Sequence, residues 1–557
     1  MITQQELLER LEAGENVSTE FKAGRLTRQV AARMAVAFAN GEGEGWLVNG
    51  VKDTPQGFEL VGVSDSDKLT SLLQDACRQL CQPPIEPVLE TVMLNDKAIV
   101  VMRVRGRAAQ RPYKTADNGY VIREADTTRV VTLERALQHV VAERSLLQLL
   151  YVENFRSLYG MDLGLKSITV VIGPNASGKS NLFKALRFLQ DGMVGDISQW
   201  EANSKRGDEL LWFGLDEQGR RPDRIVLDFS AKFQGQPLAN SLNYRLEVRW
   251  KQERLWVMRE SLAFGSPLEK RKLYFERDED KVRLERGQPG ARQPKELFFR
   301  DPHRLYFREY LSSFEHGTAE ALVRFVQGWR FVNIDVDKAR QSSIDVTVEP
   351  KSVPPLRGDG SNLAEVLYAL RKIEPERFEE IVDRLGRSIG FPRDVQVQYL
   401  SSLGGLGEAR FAFAETAFPG REISPGSMSD GTFRLLALLT ALIGDPQATV
   451  ICIEEPDHGL HPHLMLRLAD AIRSVVDVEP GEAIAQFNRP QIILTTHSPD
   501  FMDCFDVTTE ADYLRVYITE RNFDDGKTEF LPADASEFLP WLERYRLGDA
   551  VRRSIFS

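Results

Sequence analysis

The feature that most constrains the fold is an apolar run that leads directly into a glycine-containing loop and a helix-forming segment. Residues 168–172 are Ile-Thr-Val-Val-Ile, and residues 173–180 are Gly-Pro-Asn-Ala-Ser-Gly-Lys-Ser. This loop matches G-x-x-x-x-G-K-S, a pattern in which backbone N–H groups approach phosphate oxygens. Residues 181–189 continue as a predicted helix, and its amino terminus adds a favourable dipole. The pattern predicts an α/β nucleotide-binding fold.

The residues of this loop have distinct expected roles. Gly173 and Gly178 let the backbone approach phosphate closely, with Asn175 between them. Lys179 would neutralise the outer phosphates, and Ser180 would bind Mg²⁺. Eight residues alone can match by chance, but the flanking strand and helix make the match specific. We therefore expect ATP and Mg²⁺ as ligands.

A second apolar run ends in two acids. Residues 449–453, Thr-Val-Ile-Cys-Ile, precede Glu454, Glu455 and a proline. A buried strand of this kind brings carboxylates to its carboxyl end, where phosphate and metal lie in such folds. We expect Glu454 to hold Mg²⁺ through water, and Glu455 to orient and deprotonate the attacking water. The alternative, two merely solvated acids, is the weaker interpretation beside a phosphate loop.

Two shorter elements accompany these runs. Residues 492–496 form a third apolar run that ends at His497. A lone histidine at a strand end is usually structural, but in this context we interpret His497 as a sensor of the γ-phosphate. Residues 427–432, Ser-Met-Ser-Asp-Gly-Thr, precede a predicted helix over 433–442. By itself, such a helix cap says nothing about function.

Together the four elements resemble the Walker A, signature, Walker B and H-loop motifs of the ABC ATPase superfamily, in that order. The closer likeness is to proteins of the SMC, RecF and overcoming-lysogenisation-defect (OLD) type. Three further segments carry that likeness, namely residues 152–157 (Val-Glu-Asn-Phe-Arg-Ser), 358–363 (Gly-Asp-Gly-Ser-Asn-Leu) and 454–462 (Glu-Glu-Pro-Asp-His-Gly-Leu-His-Pro). The resemblance covers most of residues 146–557 and implies an ABC-type P-loop ATPase with a helical signature lobe.

The resemblance also implies a signature motif and an assembly. Ser429 and Gly431 would form the signature, and residues 460–461 the D-loop. Met428 and Asp430 stand where transporters carry leucine and glycine, and the Walker B motif has glutamate in place of the usual aspartate. In ABC enzymes each ATP lies between the Walker A of one subunit and the signature of another. One copy of each motif per chain therefore implies a homodimer or a larger even assembly.

The Q-loop glutamine of ABC enzymes is not placed by the sequence. Gln190 lies too near the helix that follows the phosphate loop to be convincing.

The length of the chain leaves room for a second domain. With 557 residues it is several times the usual size of one domain, and the sequence signals change near residues 143–145. We predict a smaller α+β domain over residues 1–145 and the ATPase domain over residues 146–557. The elements predicted in the first domain are a helix over 7–12, an extended segment over 18–22, a helix over 27–39 and a strand over 46–51.

Composition excludes several other classes of protein. No apolar run approaches the roughly 18 residues of a membrane span, and the longest, residues 435–443, predicts a buried helix. The amino terminus lacks the features of a secretory signal, so we expect a cytoplasmic protein with no membrane partner. Cys77 and Cys81 are predicted to be buried thiols rather than zinc ligands. No long heptad segment is found, which argues against coiled-coil arms. Residues 200–345 alternate β-like runs with charged turns, and their arrangement is not predicted.

The first 145 residues resemble the AlbA_2 domain of Schlafen-type proteins. One departure is residues 41–45, Gly-Glu-Gly-Glu-Gly, which are longer than the compact turn of that family. Short motifs carry the likeness, in the order 18–22 (Ser-Thr-Glu-Phe-Lys), 37–41 (Ala-Phe-Ala-Asn-Gly), 48–53 (Val-Asn-Gly-Val-Lys-Asp), 111–114 (Arg-Pro-Tyr-Lys) and 120–123 (Tyr-Val-Ile-Arg).

Some Schlafen-like domains are nucleases that gather three acids around a divalent metal. Glu15, Glu20 and Asp53 occupy the corresponding places here, and Lys22 would steady the transition-state charge. Clustered carboxylates repel each other unless Mg²⁺ or Mn²⁺ neutralises them, and such a metal activates water against a phosphodiester. Other relatives are nucleic-acid-binding modules, in which Glu20 and Asp53 would be ordinary surface or capping acids. Both interpretations stay open at this point.

A local basic run is the candidate contact for DNA or RNA. The net charge of −11 argues against a basic surface over the whole protein but leaves room for a local patch. A solvated strand edge and loop is an equally good interpretation of this run. Its members are Arg103, Arg105, Arg107, Arg111 and Lys114.

Three functions are compatible with these motifs. The first is a bacterial anti-phage defence effector, in which the ATPase controls a Schlafen-like nuclease acting on DNA or RNA. In the second, the amino-terminal domain is a recognition or assembly module, and a separate effector protein supplies any nuclease. The third is a DNA-repair ATPase of RecF character.

Overall fold

The chain, seen in a computed structural model, is described over most of its length. The described residues are 2–533 and 548, apart from single positions, interruptions of two or three residues, and the longer gaps 41–44, 105–112, 132–144, 201–206, 234–240, 265–271, 285–294, 309–316, 402–405, 415–420 and 477–489. Three members of the predicted basic run (Arg105, Arg107 and Arg111), most of the long turn at 41–45 and the predicted junction at 143–144 lie outside the described residues.

Two compact units make up the chain. The first consists mainly of Met1–Glu143, and the second of Arg144–Lys232 with Ser241–Ser557. Each unit is described by itself below.

The first unit is an α+β assembly of small sheets. Strand order is β1-β2-β7-β6 in one sheet and β10-β9-β8-β5 in another, and β3 and β4 form a hairpin. The elements are α1 (Gln4–Glu12), β1 (Thr19–Lys22), α2 (Arg28–Asn40), β2 (Gly45–Asn49), β3 (Val51–Thr54), β4 (Gly57–Leu60), α3 (Ser66–Gln79), β5 (Cys81–Gln82), β6 (Val88–Leu94), β7 (Lys97–Val104), β8 (Lys114–Thr115), β9 (Tyr120–Glu124) and β10 (Thr127–Val131).

The core of the first unit forms where α2 and α3 cover the inner face of β2 and β7. Helix α2 is rich in alanine, the best helix former, and most of its residues are buried. The predicted strand over 46–51 is wrong at its end, because Gly50 has φ 98° and separates β2 from β3. Cys77 and Cys81 are buried free thiols, as predicted.

The second unit contains three sheets and eight helices among its described residues. Its elements are β11 (Ser145–Glu153), β12 (Met161–Gly164), β13 (Ile168–Ile172), α4 (Lys179–Val194), β14 (Arg224–Phe233), β15 (Ser241–Lys251), β16 (Arg254–Phe264), β17 (Lys272–Asp278), β18 (Lys281–Leu284), β19 (Lys295–Phe298), α5 (Gly317–Gln327), β20 (Trp329–Val332), α6 (Val336–Ala339), β21 (Ser343–Thr347), α7 (Leu363–Ile373), α8 (Pro375–Ile389), β22 (Asp394–Ser401), β23 (Leu406–Ala414), β24 (Glu422–Ile423), α9 (Asp430–Ile443), β25 (Val450–Glu454), α10 (Pro462–Val476), β26 (Gln491–Thr496), α11 (Pro499–Met502), β27 (Leu514–Arg521) and β28 (Thr528–Pro532).

The sheet that carries the phosphate loop is mostly parallel. Its order is β20-β25-β26-β13-β27-β28, with only β28 antiparallel to its neighbour. All residues of β13 and β26 are buried, and most are apolar, as expected of central strands in a parallel sheet that is covered on both faces. The three apolar runs recognised in the sequence are therefore adjacent strands β25, β26 and β13. Their carboxyl ends meet at one edge of the sheet.

Two further sheets flank this one in the chain. Strands β12, β11 and β14 to β19 form an eight-stranded sheet, and β14 to β19 account for residues 224–298 of the region whose arrangement the sequence did not predict. Strands β21 to β24 form a smaller antiparallel sheet, which shares a core with α7, α8 and α9. Helix α9 is buried along most of its length, as its apolar run predicted.

The helices of the described residues are short. The longest, α4, has 16 residues. None of them is both long and apolar enough to cross a membrane.

Candidate nucleotide site

The phosphate loop follows β13 and is bounded by two glycines that nothing larger can replace. A Cβ on Gly173 would lie 2.2 Å from Thr519 Oγ1. Gly178 has φ 102°, and a Cβ there would lie 2.0 Å from Thr528 Oγ1. Helix α4 begins directly after Gly178. Close packing against β27 and β28 thus fixes the loop, and the amino terminus of α4 lies at the end of the loop.

We expect Gly178→Ala to weaken ATP binding by about 5- to 150-fold. A side chain forced into this left-handed conformation costs about 1–3 kcal/mol, and about 1.4 kcal/mol is a factor of ten in affinity. Gly24→Ala is the control, because a Cβ at Gly24 meets nothing within 4 Å. ATP titration of both variants measures the effect, and unchanged affinity in Gly178→Ala would show that the loop tolerates a side chain.

Lys179 lies buried under its own loop. Its Nζ donates to the backbone oxygens of Gly173 and Pro174, each at 2.8 Å. Burial lowers the pKa of Lys179, and the charges of Glu455, Glu454 and Asp457 oppose that shift. Asn175 is exposed at the loop surface. The ammonium group is therefore held where the loop carbonyls converge, among the acids of the second apolar run.

Ser180 and Glu454 meet although 274 residues separate them in the chain. The Ser180 hydroxyl donates to Glu454 Oε1. Asn333, just beyond β20, donates from Nδ2 to Glu454 Oε2 at 3.0 Å. A hydroxyl and a carboxylate offer the oxygen ligands that suit Mg²⁺, and Asn333 holds the carboxylate from its other side through a hydrogen bond. The residues that the sequence proposed for this metal are thus brought together, and the arrangement fits it.

Asn333 is a site residue that the sequence did not reveal. It follows a four-residue strand in a stretch without a recognisable motif, so only the position of β20 beside β25 identifies it. Gln190, an unconvincing Q-loop glutamine on sequence grounds, donates from Nε2 to the backbone oxygens of Val326 and Trp329. Gln190 thus ties α4 to the start of β20 and stays away from Glu454.

A cavity of about 400 Å³ adjoins the Ser180–Glu454 pair. Asn333 also lines it, together with Lys184 and Arg187 of α4. Burial lowers the pKa of Lys184, and so does the nearby positive charge of Arg156. The cavity is therefore lined by two basic side chains, Lys184 and Arg187, and by two acidic ones, Glu454 and Asp359.

Glu455 and His497 form the second pair of the site. His497 Nδ1 lies 3.2 Å from Glu455 Oε1, and both side chains are partly exposed. Glu455 has φ 45°, a conformation that non-glycine residues rarely adopt, and its N–H donates to Thr495 O at 3.0 Å. Strain of this kind clusters at functional sites. The ends of β25 and β26 thus hold a carboxylate against an imidazole beside the phosphate loop.

A hydrogen bond of Asp457 connects the two chain segments that carry this pair. Thr496 Oγ1 donates to Asp457 Oδ1 at 2.7 Å, and burial raises the pKa of Asp457. The hydrogen bond ties the segment after Glu455 to the end of β26.

The predicted signature residues cap helix α9. Ser429 is the N-cap, and its Oγ accepts from Thr432 N at 3.3 Å. A Cβ on Gly431 would lie 3.3 Å from Gly459 O, so the start of α9 packs on the segment after the Walker B acids. Among the described residues, no hydrogen bond or ion pair joins Ser429 or Gly431 to residues 173–180 of the same chain.

The three acids predicted to bind metal in the first unit are near one another, but they have different hydrogen-bond and ion-pair partners. The pKa of Glu15 is raised, mainly by burial, with Glu20 and Asp53 adding to the rise. Glu15 Oε1 accepts from Phe21 N at 2.7 Å. Buried Glu20 pairs with Lys22 at 2.5 Å and with Arg123 at 2.6 Å.

With Lys22 and Arg123 bound to it, Glu20 is not free to bind a metal ion. Among the described residues, no group of three His, Cys, Asp or Glu side chains is placed to hold one metal ion. The expected convergence of Glu15, Glu20 and Asp53 is not present, because both oxygens of Glu20 face cations. Their role as metal ligands stays a prediction.

The described part of the basic run is also engaged. Arg103 pairs with Glu90 at 2.5 Å and lies over the ring of Trp46, 5.7 Å from its centroid. Arg103 therefore has a structural role in the sheet, and phosphate binding by the basic run stays a prediction.

Two family matches cover most of the chain. Residues 168–314 and 361–503, more than half of the chain, match the family described as "AAA domain, putative AbiEii toxin, Type IV TA system". Residues 15–132 match the family described as "Schlafen, AlbA_2". The two matches fall where the sequence placed an ATPase and a Schlafen-like domain.

Individual relatives are more distant. The OLD nuclease of Thermus scotoductus (strain ATCC 700910 / SA-01) is 23% identical over 368 residues, which are 64% of this chain and 60% of the relative. The similarity thus spans less than two thirds of the relative's length. A crystal structure of the SmcHead bound to the C-winged helix domain of ScpA has 13% identity and a TM-score of 0.42, covering 71% of this chain and 99% of the other. The SMC head domain from Thermotoga maritima has 12% identity and a TM-score of 0.33, covering 70% and 99%.

Proposed function

Since this chain belongs to the AAA domain family and is an ATPase with a Schlafen-like amino-terminal domain, we propose that ATP-driven dimerisation controls an action of that domain on nucleic acid. The observation that carries the ATPase half is the meeting of Ser180 with Glu454 beside the Glu455–His497 pair.

Each residue of the nucleotide site has a role in this proposal. Lys179 neutralises the outer phosphates, and Ser180 and Glu454 hold Mg²⁺, which supplies charge neutralisation when bound. Glu455 accepts the proton of the attacking water as general base. His497 orients Glu455 and contacts the γ-phosphate.

The separation of the two half-sites supports the proposed dimer. Each chain has one phosphate loop and one signature, and no contact between them is found in the described residues of the single chain. Two chains in opposite orientation complete two sites, with Ser429 of each approaching the nucleotide of the other. In a homodimer or a larger even assembly, every phosphate loop can meet the signature of another chain.

A mixture of two inactive variants tests the shared site. Lys179→Ala lacks the phosphate counter-charge, and Ser429→Arg blocks the signature. Their heterodimer keeps one intact composite site, so the mixture is expected to hydrolyse ATP at several times the summed rates of the separate variants. Each variant alone, at the total protein concentration of the mixture, is the control. Rates that merely add would contradict a site made by two chains.

The amino-terminal domain is proposed to act on DNA or RNA as a metal-dependent nuclease. The match to the Schlafen AlbA_2 family and the similarity to an OLD nuclease support this proposal. Glu15, Glu20 and Asp53 would hold Mg²⁺ or Mn²⁺ after Glu20 releases one of its cations. The biological setting we propose is bacterial anti-phage defence in the cytoplasm.

The ion pairs of Glu20 favour a second function. A carboxylate fixed by Lys22 and Arg123 stabilises the fold, and a domain built in this way serves as a recognition or assembly module. A separate effector protein would then supply the nuclease, or the ATPase would act in DNA repair as RecF-like proteins do. Cleavage assays with and without metal separate the two functions.

A further inference from the structure

Arg340 makes three contacts around the predicted signature. Its Nη2 donates to Met428 O at 2.8 Å and to Asp430 Oδ1 at 2.6 Å. The guanidinium also lies over the ring of Phe433, 5.0 Å from its centroid. These partners are the residue before Ser429, the residue after it, and a residue one turn into α9. Arg340 thus brackets Ser429 without touching it.

The contacts fix the direction of Ser429. As N-cap of α9, Ser429 accepts a hydrogen bond from Thr432 N through its hydroxyl, and Arg340 adds to this by holding the residues on either side of Ser429. Arg340 holds the backbone on one side and a side chain on the other. It also explains Asp430, which stands where transporters have glycine, because the carboxylate is the anion that Arg340 binds.

The segment that carries Arg340 begins at the other half of the nucleotide site. Asn333, which donates to Glu454, is seven residues earlier in the chain. The intervening residues are anchored to the loop at 357–362, because Asp335 N donates to Asp359 O at 3.0 Å and Lys338 Nζ to Asp359 Oδ2 at 3.0 Å. Residues 333–340 therefore form a fixed connection from the Walker B acid to the signature.

We propose that Arg340 is a positioning residue that aims Ser429 at the nucleotide held by a second copy of this chain. The inference rests on the proposed shared site and assigns one residue the task of completing it. The segment that carries Arg340 starts at Asn333, which contacts Glu454. Arg340 therefore links Glu454 of its own chain to the site that this chain completes in its partner.

Loss of Arg340 should alter rate more than stability. The side chain of Asp430 is 76% exposed, and exposed ion pairs contribute little to folding. Arg340→Met keeps an apolar stem against Phe433 while removing the charge. A displacement of about 1 Å at a reacting group costs up to about 100-fold in rate.

The expected result for Arg340→Met is therefore a kcat lower by about 10- to 100-fold. The Kd for ATP of the isolated chain should change by less than about twofold, because its own phosphate loop is intact. Arg340→Lys should recover part of the rate, since lysine can bind one of the two oxygens. Arg371→Met is the matched control, as Arg371 lies over the ring of Phe378 on other helices. A wild-type kcat in Arg340→Met, or a loss of ATP affinity equal to the loss of rate, would overturn the proposal.

Mixing experiments decide whether Arg340 acts across the dimer. Full-length Arg340→Met is mixed with Lys179→Ala, and Ser429→Arg with Lys179→Ala is run in parallel. Recovery of ATPase activity in both mixtures supports the proposal. Recovery only with Ser429→Arg overturns the role of Arg340 in the partner's site and leaves the dimer standing. Recovery in neither mixture contradicts the shared site itself, and the proposed role of Arg340 falls with it.

Discussion

Glu455→Gln is expected to hydrolyse ATP about 100 to 10,000 times more slowly than the unaltered protein while still binding it. A positioned general base contributes a factor of this size, and glutamine keeps the shape of the side chain without its basicity. Lys179→Ala should instead lose binding, because it removes the positive charge that neutralises the outer phosphates. The two variants therefore separate chemistry from binding.

Assembly gives a second measurement on the same variant. With hydrolysis blocked, ATP stays in the site, and Glu455→Gln should accumulate as a dimer or larger even assembly by light scattering. Glu408→Gln is the control, since Glu408 pairs with Arg410 on the exposed face of β23. A Glu455→Gln protein that remains monomeric with bound ATP would rule out nucleotide-driven dimerisation, and one that hydrolyses at the normal rate would remove Glu455 as the base.

The candidate nucleotide site could be proposed from the sequence because its residues follow short apolar runs. Such runs become adjacent parallel strands, so residues at their carboxyl ends meet wherever they stand in the chain. Ser180, Glu454, Glu455 and His497 were all placed in this way. The register of β13 with β26 and of β26 with β25 brings them to one edge.

Residues outside such runs were missed for a physical reason. Asn333 and Arg340 act through contacts with Glu454 and Asp430, which lie 121 and 90 residues away in the chain. No local periodicity records a contact of that kind. The eight-stranded sheet was unpredicted for the same reason, since its pairings depend on which strands meet and not on the pattern within each.

The first unit shows how a single long-range partner changes an interpretation. Sequence motifs grouped Glu15, Glu20 and Asp53, and the charges of Glu20 and Asp53 raise the pKa of Glu15, but the three do not form a metal-binding group among the described residues. Arg123, 104 residues from Thr19, donates to Thr19 O at 3.0 Å and also pairs with Glu20. The acid that looked like a metal ligand is therefore also a member of a buried ion pair.

Because of this pair, Glu20→Ala is expected to have two effects. Removing one partner of a buried ion pair destabilises a protein by about 3–5 kcal/mol, since the other charge is left uncompensated. Cleavage of nucleic acid would also be lost if Glu20 binds the metal. Thermal denaturation of the variant measures the first effect, and loss of cleavage by Glu20→Ala alone would not identify a ligand.

Asp53→Ala gives the cleaner result, and we expect it to abolish Mg²⁺- or Mn²⁺-dependent cleavage of DNA or RNA while the ATPase rate stays normal. Asp53 is exposed on the β3–β4 hairpin, so its removal costs little stability, whereas loss of one carboxylate from a shared metal site disables activation of water. Glu59→Ala, an exposed acid on the same hairpin, is the control and should cleave normally. Cleavage that survives Asp53→Ala would remove Asp53 from the site. If the unaltered protein cleaves no DNA or RNA with either metal, with or without ATP, the Glu20–Arg123 pair has only its structural role and the first unit is a recognition module.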